Sequence, residues 1–128
     1  MKKVPLIARI LLGLIFFGAG LAGLLNVAPP PADLPENLKT FMNGILAAKY
    51  FFPLLKATET ICGALLLSGF FVPLALVILA PITVNILCTH LFLAPSGLPM
   101  ALVLVALETF LVFFSPYGNK IRPLFKAK

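Results

Sequence analysis

Residues 4–25 read VPLIARILLGLIFFGAGLAGLL, an apolar run broken by one charge, Arg9. At 1.5 Å rise per residue a helix of about 22 residues crosses a hydrocarbon core of ~30 Å. Three further runs of similar length follow, at roughly 50–69, 72–93 and 97–116. Backbone groups inside lipid must be satisfied within their own segment, so these runs are expected to be helices. The breaks between them carry turn chemistry: Asn26 opens a stretch containing Pro29, Pro30 and Pro31, Gly69 and Pro73 bracket the second break, and Pro95, Gly97 and Pro99 mark the third.

Composition agrees with lipid rather than water. The chain of 128 residues is 61% hydrophobic and 11% charged, with a mean hydropathy of +1.10. Soluble domains carry about 25% charged residues, and a soluble fold of this size would leave much apolar surface facing water. No hydrophilic stretch is long enough for a second unit, so residues 1–128 are expected to form one transmembrane domain. The fold class expected is an all-α membrane protein, a four-transmembrane-helix bundle with a short amphipathic helix in the first outer loop.

The net charge of +6 is concentrated at the ends. Lys2, Lys3 and Arg9 lie at one end and Lys120, Arg122, Lys126 and Lys128 at the other, seven of the ten basic residues. Short basic ends flanking apolar spans follow the positive-inside rule, so both termini are expected in the cytoplasm. Such ends also attract anionic head groups; nucleic acid is not the partner this distribution describes. Met1-Lys2-Lys3 followed by an apolar run and Gly20-Leu21-Ala22 also resembles a secretory signal. The expectation is a retained membrane helix.

In the first loop, Asp33 and Glu36 have the D-x-x-E spacing of a capping box. Leu38, Phe41, Met42, Ile45 and Leu46 then recur at helical spacing, the pattern of a short helix lying on the outer surface or lidding the bundle. In the first span, Gly18/Ala22 and Ala19/Gly23 are small-xxx-small pairs that let backbones approach closely. Packing within the bundle is the first expectation for them, and a homodimer through this face the second.

Polar residues inside the spans mark a candidate site, because an ionisable group in lipid is costly. Span 2 carries Lys56, Thr58 and Glu59, span 3 carries Asn85, Thr89 and His90, and span 4 carries Glu108. Lys56, Glu59 and Gly63 share one helix face. Helix rise puts Glu59 about 13 Å and Glu108 about 15 Å below the outer surface, with Lys56 at ~9 Å, Asn85 at ~12 Å and His90 at ~5 Å. These depths are compatible with one outward-opening cluster, in which Lys56 pairs with Glu59 and Glu108 has no cation of its own. His90 lies about 140° around its helix from Asn85, so it also fits a separate neighbour or the head-group region. No metal-ligand spacing accompanies it, and no metal is expected.

The two cysteines, Cys62 and Cys88, fall about 18 Å and 8 Å deep. A disulfide needs Cα atoms within ~7 Å, so both are expected as core thiols. Pro81 removes one backbone hydrogen bond in mid-span and is expected to bend that helix.

Three stretches, in order, resemble the DoxX family of bacterial membrane proteins: Arg9-x3-Gly13-x2-Phe16-x3-Gly20-x2-Gly23, Glu59-x3-Gly63-x2-Leu66-x2-Gly69, and His90 through Pro95-Ser96-Gly97-Leu98-Pro99. The resemblance implies a compact four-helix bundle in the bacterial inner membrane, similar in architecture to vitamin K epoxide reductase. It implies association with a quinone-linked or oxidative-stress redox system, or with assembly of partner membrane proteins. Arg9 and Glu59 match the family pattern, whereas the reductase's dithiol pair has no counterpart here.

The functional expectation is an accessory or ligand-binding subunit of such a system. Its polar intramembrane site would draw on Lys56, Glu59, Asn85, Thr89, His90 and Glu108, with a quinone as ligand, no intrinsic cofactor and a separate redox partner subunit. Nothing in the sequence marks catalysis by the chain alone. The alternatives are a proton or small-solute transport module using the same carboxyls, and a membrane-protein assembly factor.

Overall fold

The computed structural model describes residues 3–25 and 34–126. Among these there are five α-helices and no strand: α1 Lys3–Leu25, α2 Glu36–Ala47, α3 Phe51–Ser68, α4 Val72–Phe92 and α5 Leu98–Phe113. Short 3-10 turns cover Pro95–Gly97, Pro116–Lys120 and Arg122–Phe125. Four of the helices, α1, α3, α4 and α5 with its preceding turn, are long and apolar enough to cross a membrane. The chain is therefore an all-α, four-span membrane bundle, and α2 is the short amphipathic helix of the first loop.

Helix boundaries follow local chemistry. Gly69, at φ 84°, ends α3 in the left-handed conformation and returns its N–H to Leu65 O at 3.0 Å. Pro73, in the first turn of α4, gives up a donor that has no helical partner there. α5 ends three residues earlier than the apolar run suggests. Pro116 forces Ser115 into extended backbone (φ −127°, ψ 160°), and the serine hydroxyl accepts a bond from Tyr117 N. α2 begins at Glu36 with Pro35 at the cap and no side-chain cap bond. Glu36 thus takes the first helical position; Asp33, its partner in the expected capping box, lies outside the described residues. Pro81 sits within α4, which continues unbroken to Phe92.

The two ends of the bundle are defined by contacts. At one, Arg9 of α1 meets Tyr117 beyond α5 (Nη1 to Oη 3.5 Å) and the Gly69 turn between α3 and α4. At the other lie α2 and the α4–α5 turn. We call these the terminal end and the α2 end.

Close packing begins with α1 against α3. A Cβ on Gly63 would collide with the backbone of Phe17. One on Gly20 would fall 2.5 Å from Thr60 Oγ1 and 2.8 Å from Lys56 O, and one on Gly13 3.0 Å from Leu66 Cβ. Where lipid removes the hydrophobic drive between helices, this backbone proximity is what dispersion can exploit. The register differs from the small-residue pairs read in the sequence. Gly13, Gly20 and Gly23 face α3, whereas Gly18 has no neighbour and Ala19 is exposed.

Full burial is uneven along the bundle. It stops at Gly20 on α1, starts at Glu59 on α3, and stops at Thr83 on α4. Leu12, Phe16, Leu66, Leu76, Leu79 and Leu111 make the core of the terminal half. Towards α2, α1 stays against α3 at Gly20 and Gly23, and the space lies between α3, α4 and the α2 roof. Cys62 belongs to the core but Cys88 is exposed, because helical rotation turns it to the lipid face; the expectation of two core thiols holds only for Cys62.

The glycine seam yields a direct test. Gly63→Leu should destabilise the protein in micelles by about 1–3 kcal/mol or more through overpacking. Gly18→Leu, placed in open space, should stay within about 0.5 kcal/mol. Thermal unfolding followed by circular dichroism compares the two, and equal effects would refute the seam.

Candidate functional site

The space near the α2 end is a cavity of about 320 Å³. Leu38, Phe41, Met42 and Ile45 of α2 form its roof, each partly buried, while Lys39, Thr40 and Asn43 on the opposite face are exposed. The amphipathic spacing in the first loop therefore serves to lid the bundle. Phe52 and Leu55 of α3 and Ile82 and Ile86 of α4 supply apolar walls.

Lys56 and Glu59 project into this region from α3. Three residues apart, they share a face, and Lys56 Nζ lies 3.2 Å from Glu59 Oε2. The contact is an ion pair, and Oε2 is otherwise buried without a partner. The ammonium also sits 5.5 Å from the centre of the Phe52 ring, a cation–π geometry. Its stem is clamped by α1: a Cβ on Gly23 would come within 2.5 Å of Lys56 Cδ and 2.7 Å of Cγ. Gly20 and Gly23 are thus glycines because Lys56 and the turn around Thr60 occupy the place of their side chains. This is the one ion pair among the described residues.

α4 contributes Asn85, Thr89 and His90. Thr89 spends its hydroxyl on Asn85 O at 2.8 Å, as Thr58 does on Leu54 O at 2.8 Å and Thr60 on Lys56 O at 2.7 Å. These threonines satisfy themselves on their own helix. His90 Nδ1 is 2.8 Å from Ile86 O. A carbonyl can only accept, so Nδ1 carries the proton and, in the neutral ring, Nε2 is left as an acceptor. The ring leans on Gly97, where any Cβ would overlap it. His90 thus shares the cavity with Asn85 despite their angular separation.

Glu108 is not part of this cluster. It is 6% exposed and lines a second cavity, of about 310 Å³, between α4 and α5. Glu108 and Glu59 line different cavities, so the expected single cluster is not formed by both carboxyls. Arg9 lies elsewhere again, at the terminal end, its guanidinium against the Gly69 turn and 5.5 Å from the centre of the Tyr117 ring. There it adjoins the carboxyl end of α3, where a helix dipole favours a cation. From Gly69 to Glu59 is ten residues, or about 15 Å along the helix, so Arg9 is a packing residue remote from the cavity.

Two features were missed in the sequence. Thr83 is buried with no partner for its hydroxyl, and only its polarity in an apolar run signalled it. The basic segment after α5 is folded: Arg122 donates to Val112 O at 2.9 Å and Ser115 O at 3.1 Å, closing the carboxyl end of α5, and Ile121 is buried. The Ser115-Pro116-Tyr117-Gly118 turn was its signature.

Fold and site define a class: a small four-span membrane protein with a lidded, mostly apolar cavity of ligand size. The chain belongs to the DoxX family, whose model matches residues 4–94. That match takes in Arg9, the glycine seam and the Lys56–Glu59 cavity, and ends before Pro95-Ser96-Gly97-Leu98-Pro99 and α5. No curated protein and no solved structure matches the chain.

The ion pair can be tested by a double-mutant cycle. Lys56→Met alone leaves the Glu59 carboxyl buried without its cation and should cost on the order of 3 kcal/mol. Adding Glu59→Gln should recover most of that loss, measured by unfolding in micelles. A double variant no more stable than the single would show that the pairing is not the cause.

Proposed function

We propose that the chain is an accessory, ligand-binding subunit of a membrane redox system, and that the cavity beneath α2 receives the polar ring of a quinone. The observation that carries this reading is that Lys56 and His90 line one lidded space whose walls are mostly apolar. A quinone presents carbonyl acceptors and its reduced form presents hydroxyl donors. The Lys56 ammonium donates and His90 Nε2 accepts, so the two ends of the site suit the two forms. Ligand cavities run from about 300 to 1,000 Å³. At about 320 Å³ this one holds a single substituted ring, with an isoprenoid tail left among the lipids.

The residues fit binding better than electron transfer. Cys62 is buried and Cys88 is exposed, which does not make a dithiol pair, so a cofactor-bearing partner would supply the redox chemistry. A proton path through both carboxyls is less well supported, because Glu59 and Glu108 line different cavities.

The basic residues near both ends favour a cytoplasmic-membrane protein with the terminal end inside and α2 outside. In a variant without Cys62 and Cys88, Asn43→Cys should react with an impermeant maleimide on intact cells. Asn119→Cys should react only after lysis, and the opposite pattern would reverse the topology.

Ligand binding is tested by thermal shift with short-chain ubiquinone and menaquinone analogues. Wild type should be stabilised, by about 2.7 kcal/mol at a hundred times Kd. The Lys56→Met/Glu59→Gln protein, which keeps a neutral, packed cavity, should show no shift. Absence of stabilisation in wild type, or its persistence in the double variant, would remove the quinone reading.

A further inference from the structure

The cavity between α4 and α5 is separate from the one beneath α2 and has its own chemistry. Glu108, 6% exposed, and Thr83, 3% exposed, stand in its wall. Neither carboxyl oxygen of Glu108 has a hydrogen-bond partner, nor does Thr83 Oγ1. Pro81 has no N–H, so the Val77 carbonyl, four residues earlier, loses its helical donor, and Val77 belongs to the same wall. The wall thus holds a carboxyl and a hydroxyl without hydrogen-bond partners, beside a carbonyl that Pro81 deprives of its usual helical donor, and a buried polar group left unpaired is costly.

The remaining wall selects what could satisfy them. Among the described residues no Lys, Arg or His lines this cavity, so none of them serves the carboxyl as counter-ion. Phe113 and Phe125 lie side by side at its edge, ring centres 5.6 Å apart. Ring faces attract organic cations. Ile121, held under α5 by the Arg122 cap, closes the floor. Glu108 disfavours an anion, and a ligand with only carbonyl acceptors takes the Thr83 hydroxyl proton but leaves the Glu108 carboxylate and the Val77 carbonyl unanswered. An ammonium brings several donors and one positive charge on a body that can remain apolar.

We propose that this cavity is a second binding site, independent of the quinone reading, for a lipophilic amine in its ammonium form. Glu108 is the counter-ion, Thr83 and the Val77 carbonyl accept further hydrogen bonds, and the paired phenylalanines cover the apolar body. The carboxyl oxygens are covered by their own surroundings, so engagement requires a rotamer change at Glu108.

The test uses the full chain in detergent micelles and dansylcadaverine, a primary amine whose fluorescence rises on burial. Wild type should bind it saturably, and N-pentyl dansylamide, which lacks the amine, should bind about tenfold more weakly or worse. This comparison needs no variant. Glu108→Gln should weaken the amine by about tenfold or more, and Glu108→Asp should retain part of the affinity. The Lys56→Met/Glu59→Gln protein should bind the amine as wild type does. Equal binding of the neutral compound would mean an apolar groove for lipid tails only. Unchanged binding in a folded Glu108→Gln protein would remove the carboxylate as counter-ion. Loss of binding in the Lys56→Met/Glu59→Gln protein would put the amine in the other cavity. Each of these three results overturns the proposal.

Discussion

Everything else in the bundle depends on how closely α1 approaches α3. In water, burial of apolar side chains would drive two such helices together, but in lipid the tails are as apolar as the leucines they touch. Cohesion must come from dispersion at short range, and that requires backbones in near contact. Gly13, Gly20 and Gly63 supply that contact, since a Cβ at any of the three would press on the neighbouring helix. The same approach that holds the terminal half closed also sets the position of Lys56, whose stem lies against Gly23. Structure and site therefore share one cause.

The seam also accounts for the empty space. With α1 held on α3 from Gly13 to Gly23, α4 need not close on α3 towards the α2 end. Full burial stops at Gly20 and Thr83 and starts at Glu59, and past these levels the cavity begins. α2 covers the opening with four partly buried side chains. A lid held by so little burial belongs to the low-stability end of the fold, where opening is least costly. Tight packing and loose packing are thus divided between the ends of a single bundle, one giving shape and the other access.

Much of the fold could be read from the sequence because lipid imposes length, polarity and backbone satisfaction together. The spans and the amphipathic loop helix are accessible by counting residues at 1.5 Å each and by their spacing. What counting could not give was azimuth. Which neighbour a residue faces depends on how four helices are arranged around a common axis, and no one-dimensional pattern encodes that. For this reason a count along the chain groups Glu108 with Glu59, small-residue spacing picks out Gly18/Ala22 and Ala19/Gly23, and an apolar run hides that Cys88 faces outward. The folded segment after α5 was missed for another reason. Its basic residues satisfy the topology rule without any fold, so nothing in their spacing marks Arg122 as a cap for α5 or Ile121 as buried.

That segment gives the molecule a timetable. Polypeptides are made from the amino end, so α1 and α3 can meet while α5 is still being synthesised. Their seam needs nothing that comes later. The α4–α5 cavity is different: its floor at Ile121 and the arginine that seals α5 reach the membrane only after the helix they serve. Until then Val112 O and Ser115 O lack this donor, and the chamber stands open at its lower end. The newborn protein therefore passes through an interval in which one half is finished and the other is not, and during that interval the second chamber is at its most accessible.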